Sequence, residues 1–215
     1  MRRNEILQLG AIVGLVALGL TLFVGYEHAP IAGDVWLAKR IQQSSQLRRN
    51  AVFINALNVW LWVFVSGAVI LTLFRHRIGG RPAHVRQREA LAAFAAGVVL
   101  AYGSLVIKEL VRSPRPVAEF GVRADYMRDG YGFPSGHVYS DVLLYGLLAV
   151  MAPAYVPSRL VPVVRVLCLA VILLAGPARI VIGAHWPSDT VGGYLWGGAA
   201  LCLAVWFGRW VSQRA

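Results

Sequence analysis

Long apolar stretches without charge limit the folds open to this chain more than any other feature of its sequence. Residues 6–26 form one uncharged stretch of 21 residues, and residues 51–74 form another of 24. Each is long enough to cross the hydrocarbon core of a bilayer as a helix, in which the backbone satisfies its own hydrogen bonds. Four further, mostly apolar stretches bring the predicted spans to six: residues 90–111, 138–155, 160–182 and 190–208.

The sequence thus predicts an all-α polytopic membrane protein, with one domain over residues 1–215 and six transmembrane helices in a single bundle. Its composition agrees, since 58% of the residues are hydrophobic and only 14% are charged. A net charge of +11 would suit nucleic acid, but no soluble basic region carries it. The expected partners are therefore the lipid bilayer and anionic lipid head groups. The sequence sets no oligomeric state.

Arginines in the connection after the second span predict the orientation. Residues 75–89 contain five arginines, and short connections rich in arginine stay in the cytoplasm. Both chain termini are then cytoplasmic, and the third and fifth spans end on the opposite face of the membrane.

A short amphipathic segment follows the first span. Asp34 stands where a helix cap belongs, and apolar side chains recur at roughly helical spacing beside Lys39 and Arg40. We therefore expect residues 34–43 to form a helix that lies flat on the membrane.

Three clusters of polar residues stand at the ends of predicted spans, at residues 108–116, 134–137 and 179–189. The third span leaves the membrane on the side where the fourth enters, and the fifth leaves on that side again. All three clusters therefore lie on one membrane face, which is extracytoplasmic in the predicted orientation. One site can be shared among them.

Two cations belong to the first cluster. Lys108 and Arg115 lie seven residues apart, and Pro114 and Pro116 should end the helix, so that Arg115 can turn back toward the bundle. Both charges then face one anion, with arginine offering a planar fork to phosphate oxygens and lysine a point charge. The alternative is that each side chain simply reaches toward the membrane interface.

The second cluster reads Pro134-Ser135-Gly136-His137 and opens the fourth span. Ser135 can cap the helix, Gly136 lets backbone N–H groups approach a ligand, and a helix N-terminus favours an anion. His137 is placed to give a proton to a leaving oxygen. An ordinary helix start without a ligand would explain the same residues.

The third cluster pairs a histidine with an acid. Asp189 follows His185 by four residues, and Arg179 precedes His185 by six. An aspartate about one turn away can accept a hydrogen bond from Nδ1 of His185, which leaves Nε2 free to attack phosphorus. A purely structural His–Asp pair at a helix start is the alternative.

Taken in order, the motifs Lys-x6-Arg-Pro, Pro-Ser-Gly-His and Arg-x5-His-x3-Asp resemble the signature of the type 2 phosphatidic acid phosphatase family. The resemblance implies that His185 forms a phospho-histidine intermediate, that Asp189 orients it, and that His137 protonates the leaving group before water releases phosphate. It also implies a set of residues that hold the phosphoryl oxygens: Lys108, Arg115, Ser135, Gly136 and Arg179.

Two positions raise questions about the resemblance. The third family motif usually begins with serine, and Ala178 stands there in this chain, which would remove one supporting hydrogen bond. Asp141 lies inside the fourth span, where a carboxylate without a partner is costly. It either tunes the pKa of His137 or pairs with Arg179 or another cation.

By the resemblance, the protein is a hydrolase of phosphoric monoesters or diphosphates on lipids that needs no metal and no cofactor. No further group of His, Cys or carboxylate residues has the spacing of metal ligands. A site beside the bilayer suits a substrate whose tail stays in lipid while its phosphate or diphosphate head group enters the polar cluster. Residues 117–133 are expected to shape the head-group pocket.

Undecaprenyl diphosphate, phosphatidylglycerol phosphate and phosphatidic acid are the candidate substrates by resemblance, and an extracytoplasmic site in a bacterial inner membrane favours the first. A lipid phosphotransferase would use a lipid or sugar hydroxyl in place of water. A catalytically idle protein that only binds anionic lipid is disfavoured, because every charged and nucleophilic member of the motifs is present. A soluble haloperoxidase is excluded, because six spans leave no soluble domain.

Overall fold

The computed structural model describes residues 2–27, 30–46, 48–49, 51, 83–124 and 130–214. The second predicted span lies outside this part of the chain apart from its first residue. The larger part of the arginine-rich connection at residues 75–89 lies outside it as well.

Regular secondary structure in the described part is helical throughout, as predicted. The helices that position the site are α1 (Arg3–Glu27), α2 (Asp34–Gln42), α3 (Ala83–Ala101), α4 (Gly103–Val111), α5 (Gly136–Tyr155), α6 (Val161–Val181) and α7 (Pro187–Gln213). Short 3₁₀ helices occupy Ala118–Phe120 and Ser158–Leu160.

Four helical segments of the described part are long and apolar enough to cross a membrane: Arg3–Glu27, Arg88–Val111, Ser158–Val181 and Pro187–Gln213. They correspond to the first, third, fifth and sixth predicted spans. The fourth predicted span is helical too, as the 20 residues of α5. An all-α fold with membrane-spanning helices is therefore confirmed. The total of six spans and the single domain over residues 1–215 stay predictions, because residues 52–82 lie outside the described part.

The third predicted span is broken at Tyr102, a feature that its hydropathy did not predict. The Tyr102 N–H donates to the Val99 carbonyl at 3.3 Å, a three-residue step that tightens the turn between α3 and α4. The hydroxyl of Tyr139 on α5 donates to the carbonyl of Leu100 at 2.6 Å. Gly103 leaves room for this contact, because a Cβ there would lie 3.2 Å from the Tyr139 hydroxyl.

Helix α7 packs against α1, α3 and α5, and α5 also packs against α6. Two glycines of α7 face the start of α5. A Cβ on Gly193 would lie 2.8 Å from the Ser135 carbonyl oxygen, and one on Gly197 would lie 2.7 Å from that of Tyr139. Small residues four apart let two helix backbones approach closely within a membrane. This approach brings the start of α5 next to the start of α7, where Asp189 lies.

The short helix after the first span forms, but its cap differs from the prediction. Gly33 occupies the cap position with a left-handed φ of 93°, and Asp34 is the first helical residue. The expectation that Asp34 caps this helix is therefore wrong. Glycine adopts a positive φ without steric cost and can therefore occupy the cap position itself. The Asp34 side chain is then available for other contacts, and it is buried. Trp36 on the same helix is exposed.

Candidate active site

The first polar cluster turns back on itself after α4. Arg112 ends that helix in a left-handed conformation with φ 53°. The chain then returns so that Nη1 of Arg115 donates to the Ala184 carbonyl at 2.8 Å and lies 3.4 Å from Nε2 of His185. Nε of Arg115 donates to the Gly130 carbonyl at 3.1 Å. The guanidinium thus joins the first cluster to the third.

Lys108 holds the end of the loop that precedes α5. Its Nζ donates to the carbonyl oxygens of Tyr131 and Gly132, each at 2.8 Å. A lysine ammonium has three N–H donors, so one more is left beyond the two bonds formed with the described residues. The sequence placed Lys108 at the site but did not predict that it also fastens this loop.

The second cluster forms the start of α5, with Ser135 at the cap position in an extended conformation. The predicted cap bond from the Ser135 side chain is not formed, and within the described residues its buried Oγ has no hydrogen-bond partner. The Ser135 N–H donates to the carbonyl of Asp189 at 2.8 Å. A Cβ on Gly136 would lie 3.9 Å from Cε of Lys108. The α5 N-terminus, which favours anions, therefore lies beside a cation and a buried hydroxyl without a partner among the described residues.

His185 lies in the turn between α6 and α7 and is 3% exposed. Its Nδ1 faces Oδ2 of Asp189 at 3.3 Å, slightly longer than an average hydrogen bond. The same Oδ2 accepts from the Trp186 N–H at 2.9 Å, which holds the carboxylate in place. An arginine only donates, so the contact with Arg115 fits the tautomer in which Nε2 is unprotonated and Nδ1 carries the proton.

The pKa of His185 is lowered well below its ordinary value of 6.5, chiefly because burial disfavours the charged ring. The positive charges of Lys108, Arg115 and Arg179 lower this pKa further, and a hydrogen bond to the Gly132 backbone opposes them. The imidazole is therefore neutral near pH 7, which is the form that can act as a nucleophile.

Arg179 lies on α6 and is only 2% exposed. Its backbone carbonyl accepts from the Ala184 N–H at 3.0 Å. This bond ties the end of α6 to residues 182–186, the turn that carries His185 and is called the histidine turn below. The neighbouring Ala178, where the family usually has serine, packs with Ala51 and Val181 in an apolar cluster. Alanine at this position therefore contributes apolar packing.

His137 and Asp141 share the first turns of α5. His137 is the second residue of that helix and is half-buried, whereas Asp141 is fully buried. The two lie four residues apart and so on one face of the helix, as expected. The roles suggested for Asp141 stay predictions.

Asp34 also belongs to this region, although none of the three sequence motifs includes it. Its Oδ1 accepts from the Ser188 N–H at 2.8 Å, and its Oδ2 accepts from the Ser188 hydroxyl at 2.7 Å and the Ile31 N–H at 3.1 Å. Burial raises the pKa of Asp34 above its ordinary value of 3.8, the Ser188 bonds act against that rise, and the Asp189 charge adds to it. No local pattern relates residues that are 154 positions apart.

The loop after Arg115 packs on the histidine turn. The rings of Phe120 and Trp186 meet edge to face with centroids 5.8 Å apart. Gly183 has a φ of 70° and approaches the Arg123 carbonyl so closely that a side chain there would collide with it. Residues 117–133, which are predicted to shape the head-group pocket, are called the head-group loop below. The first part of this loop thus lies against the turn that carries His185.

The fold and this cluster define a membrane-spanning helical protein in which a neutral histidine lies among buried or partly buried cations. Such a site suits a phosphate group. The profile of the PAP2 superfamily matches residues 89–213, more than half of the chain. The chain therefore belongs to the PAP2 superfamily, and the resemblance read from its three motifs is confirmed. Membership of this superfamily agrees with the expected enzyme class, a phosphate ester hydrolase acting on lipids.

A curated relative is the lipid A 1-phosphatase of Rhizobium etli, which is 32% identical over 78 residues. That match covers 36% of this chain and 30% of the relative's length. Among solved structures, the chain is similar to a transmembrane PAP2-type phosphatidylglycerolphosphate phosphatase from Bacillus subtilis. The TM-score is 0.73 at 19% identity, over 91% of this chain and 93% of that one. This likeness shows the fold and agrees with an integral membrane protein.

Proposed function

We propose that this protein is a metal-independent lipid phosphatase that acts through a phospho-histidine intermediate on His185. The observation that carries the proposal is the position of the imidazole between Asp189, 3.3 Å from Nδ1, and Arg115, 3.4 Å from Nε2. The acid orients the ring, and the guanidinium lies where a phosphoryl oxygen would have to approach the nucleophile.

In the first step, Nε2 of His185 attacks phosphorus. The N–P bond forms, the bond from phosphorus to the lipid oxygen breaks, and His137 gives that oxygen its proton. Asp189 stabilises the ring as it becomes positively charged. The charge on the phosphoryl oxygens is met by a group of donors: Lys108, Arg115, Arg179, the Ser135 hydroxyl and the backbone at Gly136.

In the second step, a water oxygen attacks the phosphorus of the phospho-histidine and forms the new P–O bond. His137, now unprotonated, takes the proton of the water, the P–N bond breaks, and phosphate leaves while His185 returns to its neutral form. The depressed pKa of His185 favours this return, because the free ring does not hold a second proton near pH 7. A lipid phosphotransferase differs only in that a hydroxyl replaces the water.

The proposed substrate is a membrane lipid with a phosphate or diphosphate head group, with a slight preference for undecaprenyl diphosphate. That preference depends on the predicted orientation, with cytoplasmic termini and an extracytoplasmic site in a bacterial inner membrane. Phosphatidylglycerol phosphate and phosphatidic acid are the alternatives. The two relatives are named as phosphatases of phosphatidylglycerolphosphate and of lipid A, which supports a lipid substrate and leaves the head group open.

The test is phosphate release by the detergent-solubilised protein in EDTA, with undecaprenyl diphosphate, phosphatidylglycerol phosphate and phosphatidic acid in separate assays. We expect release from at least one lipid and a loss of about a thousandfold or more in His185→Ala. His76→Ala, outside all three motifs, is the control and should retain activity. Activity that persists in His185→Ala would contradict the nucleophile, and a strict metal requirement would contradict the mechanism. Transfer to an added alcohol in preference to water would favour the phosphotransferase.

A further inference from the structure

Helix α2 is hydrogen-bonded at its start to the first turn of α7, next to His185, and at its end to the head-group loop and the end of α6. At its start, both carboxylate oxygens of Asp34 accept from Ser188, at 2.8 Å from the N–H and 2.7 Å from the hydroxyl. At its end, Nε2 of Gln42 donates to the carbonyl oxygens of Arg123 at 3.2 Å and Ile180 at 2.9 Å. Oε1 of Gln42 accepts from the Arg123 N–H at 2.7 Å.

The contact at Ser188 acts on the first turn of α7. The first N–H groups of a helix have no partner within the helix, and here one of them is satisfied by a carboxylate from α2. The positive end of the α7 dipole also favours a carboxylate at this place. Ser188 lies between His185 and Asp189, so the Asp34 carboxylate restrains the turn that places Nδ1 of the histidine against its acid.

The contact at Gln42 joins the head-group loop to the end of α6. Nε2 and Oε1 of the Gln42 side chain are both hydrogen-bonded to backbone groups of Arg123 or Ile180. Between the two ends, Ala38 of α2 is buried in the same apolar cluster as Trp186 and Ile180. A nine-residue helix of about 13 Å therefore contacts the histidine turn at its start and the head-group loop at its end, and ties the two together.

We propose that α2 is a strut that positions the histidine turn and the head-group loop, with Asp34 and Gln42 as its positioning residues. This inference rests on the proposed phosphatase function. Neither residue touches the reacting atoms. Asp34 acts through Ser188 on the geometry of His185 and Asp189, and Gln42 acts on the place of the loop relative to the same turn. A shift of about 1 Å in a catalytic group is enough to slow a reaction about a hundredfold.

The two ends of α2 should have different kinetic effects. Asp34→Asn keeps the size of the side chain but replaces one carboxylate oxygen with an NH₂ group. That group is itself a donor and faces a donor that the carboxylate oxygen accepted from. We expect kcat to fall about 10- to 100-fold with KM changed less than about 3-fold, because the turn is misplaced while the phosphate donors remain. Gln42→Ala should mainly raise KM, by about 3- to 10-fold, because the head-group loop is released.

Controls separate positioning from folding. Gln43→Ala removes the same type of side chain from the next, exposed position and should leave both constants within about 2-fold of the wild type. Ser188→Ala is the milder partner variant, with kcat expected to fall about 3- to 10-fold, and it serves if Asp34→Asn does not fold. In the double variant Asp34→Asn/Ser188→Ala, the loss should be smaller than the product of the single losses.

If the wild type is active and both Asp34→Asn and Ser188→Ala keep the wild-type kcat, this inference is overturned while the proposed function stands. A loss of activity that only follows a loss of folded protein, judged by size-exclusion profile and Tm, would also overturn it. Absence of phosphate release by the wild type from every lipid would instead contradict the proposed function and the inference with it.

Discussion

Nη1 of Arg115 lies 3.4 Å from Nε2 of His185, so a permanent cation faces the ring nitrogen assigned as the nucleophile. The guanidinium is held there by the carbonyl oxygens of Gly130 and Ala184. This geometry has two consequences. The ring stays neutral, and an anion that reaches Nε2 meets a fork of N–H donors at once.

Arg115→Lys should therefore lower kcat/KM about a hundredfold, although the charge is kept. Lysine cannot reproduce the two backbone bonds of the fork and also reach the phosphoryl oxygens. The matched control is Arg112→Lys, the same substitution at a nearby exposed position, which should change kcat/KM less than about 2-fold. Steady-state phosphate release measures both. Equal effects of the two variants would contradict the assigned position of Arg115.

The lowered pKa of His185 predicts how stability depends on pH. The unfolded chain binds a proton at this ring near its ordinary pKa of 6.5, whereas the folded chain does not until a lower pH. The stability linked to His185 is therefore present above pH 6.5 and is lost as the pH falls, by up to about 1.4 kcal/mol per pH unit. We expect the drop in Tm between pH 7 and pH 5 to be smaller in His185→Gln than in the wild type. An equal drop in the two proteins would contradict the assigned pKa direction.

Gly193→Ala should lower both Tm and activity. Its Cβ would lie 2.8 Å from the Ser135 carbonyl oxygen and 2.9 Å from Cβ of Val138, so α5 would have to move away from α7. Overpacking of this kind costs about 1–3 kcal/mol. Gly198→Ala on the same helix is the control, because among the described residues its Cβ would meet only Cγ1 of Val13, at 3.6 Å. That variant should keep or slightly raise the Tm, since alanine favours a helix over glycine. Similar Tm values for both variants would argue against the close helix contact.

The predicted orientation can be tested with a single reactive cysteine. In a Cys168→Ser/Cys202→Ser background, Glu119→Cys places a thiol at an exposed position of the head-group loop. We expect it to react with an impermeant thiol reagent in intact cells. A cysteine at Gln213, at the other end of α7, should react only after lysis. The reverse pattern would place the site on the cytoplasmic face.

Much of the fold could be predicted because hydropathy is local. The apolar stretches at residues 6–26, 160–182 and 190–208 correspond to α1, α6 and α7 within a few residues at most ends, since any segment in a bilayer must satisfy its own backbone. The break at Tyr102 could not be predicted. The carbonyl of Leu100 beside the break accepts from the hydroxyl of Tyr139, on another helix, and no property of the surrounding residues indicates that contact.

The candidate site divides in the same way. The identities of His185, Asp189 and Arg115 were readable because each motif has a fixed spacing, and helix counting placed the motifs on one face. Their mutual geometry was not readable. Nor was it readable that the Ser135 hydroxyl has no hydrogen-bond partner within the described part of the chain, or that Lys108 holds the loop before α5. These features depend on how loops close between helices, which no local periodicity encodes.

The sequence by itself determined that this chain is a helical membrane protein with the three motifs of a known phosphatase family, because hydrophobic length and motif spacing are properties of contiguous residues. Only the tertiary structure decided that Asp34 leaves its own helix start to Gly33 and binds Ser188, 154 residues away. A buried carboxylate takes whichever donors the packing brings within reach. Its partner is therefore chosen by the assembled helices rather than by its neighbours in the chain.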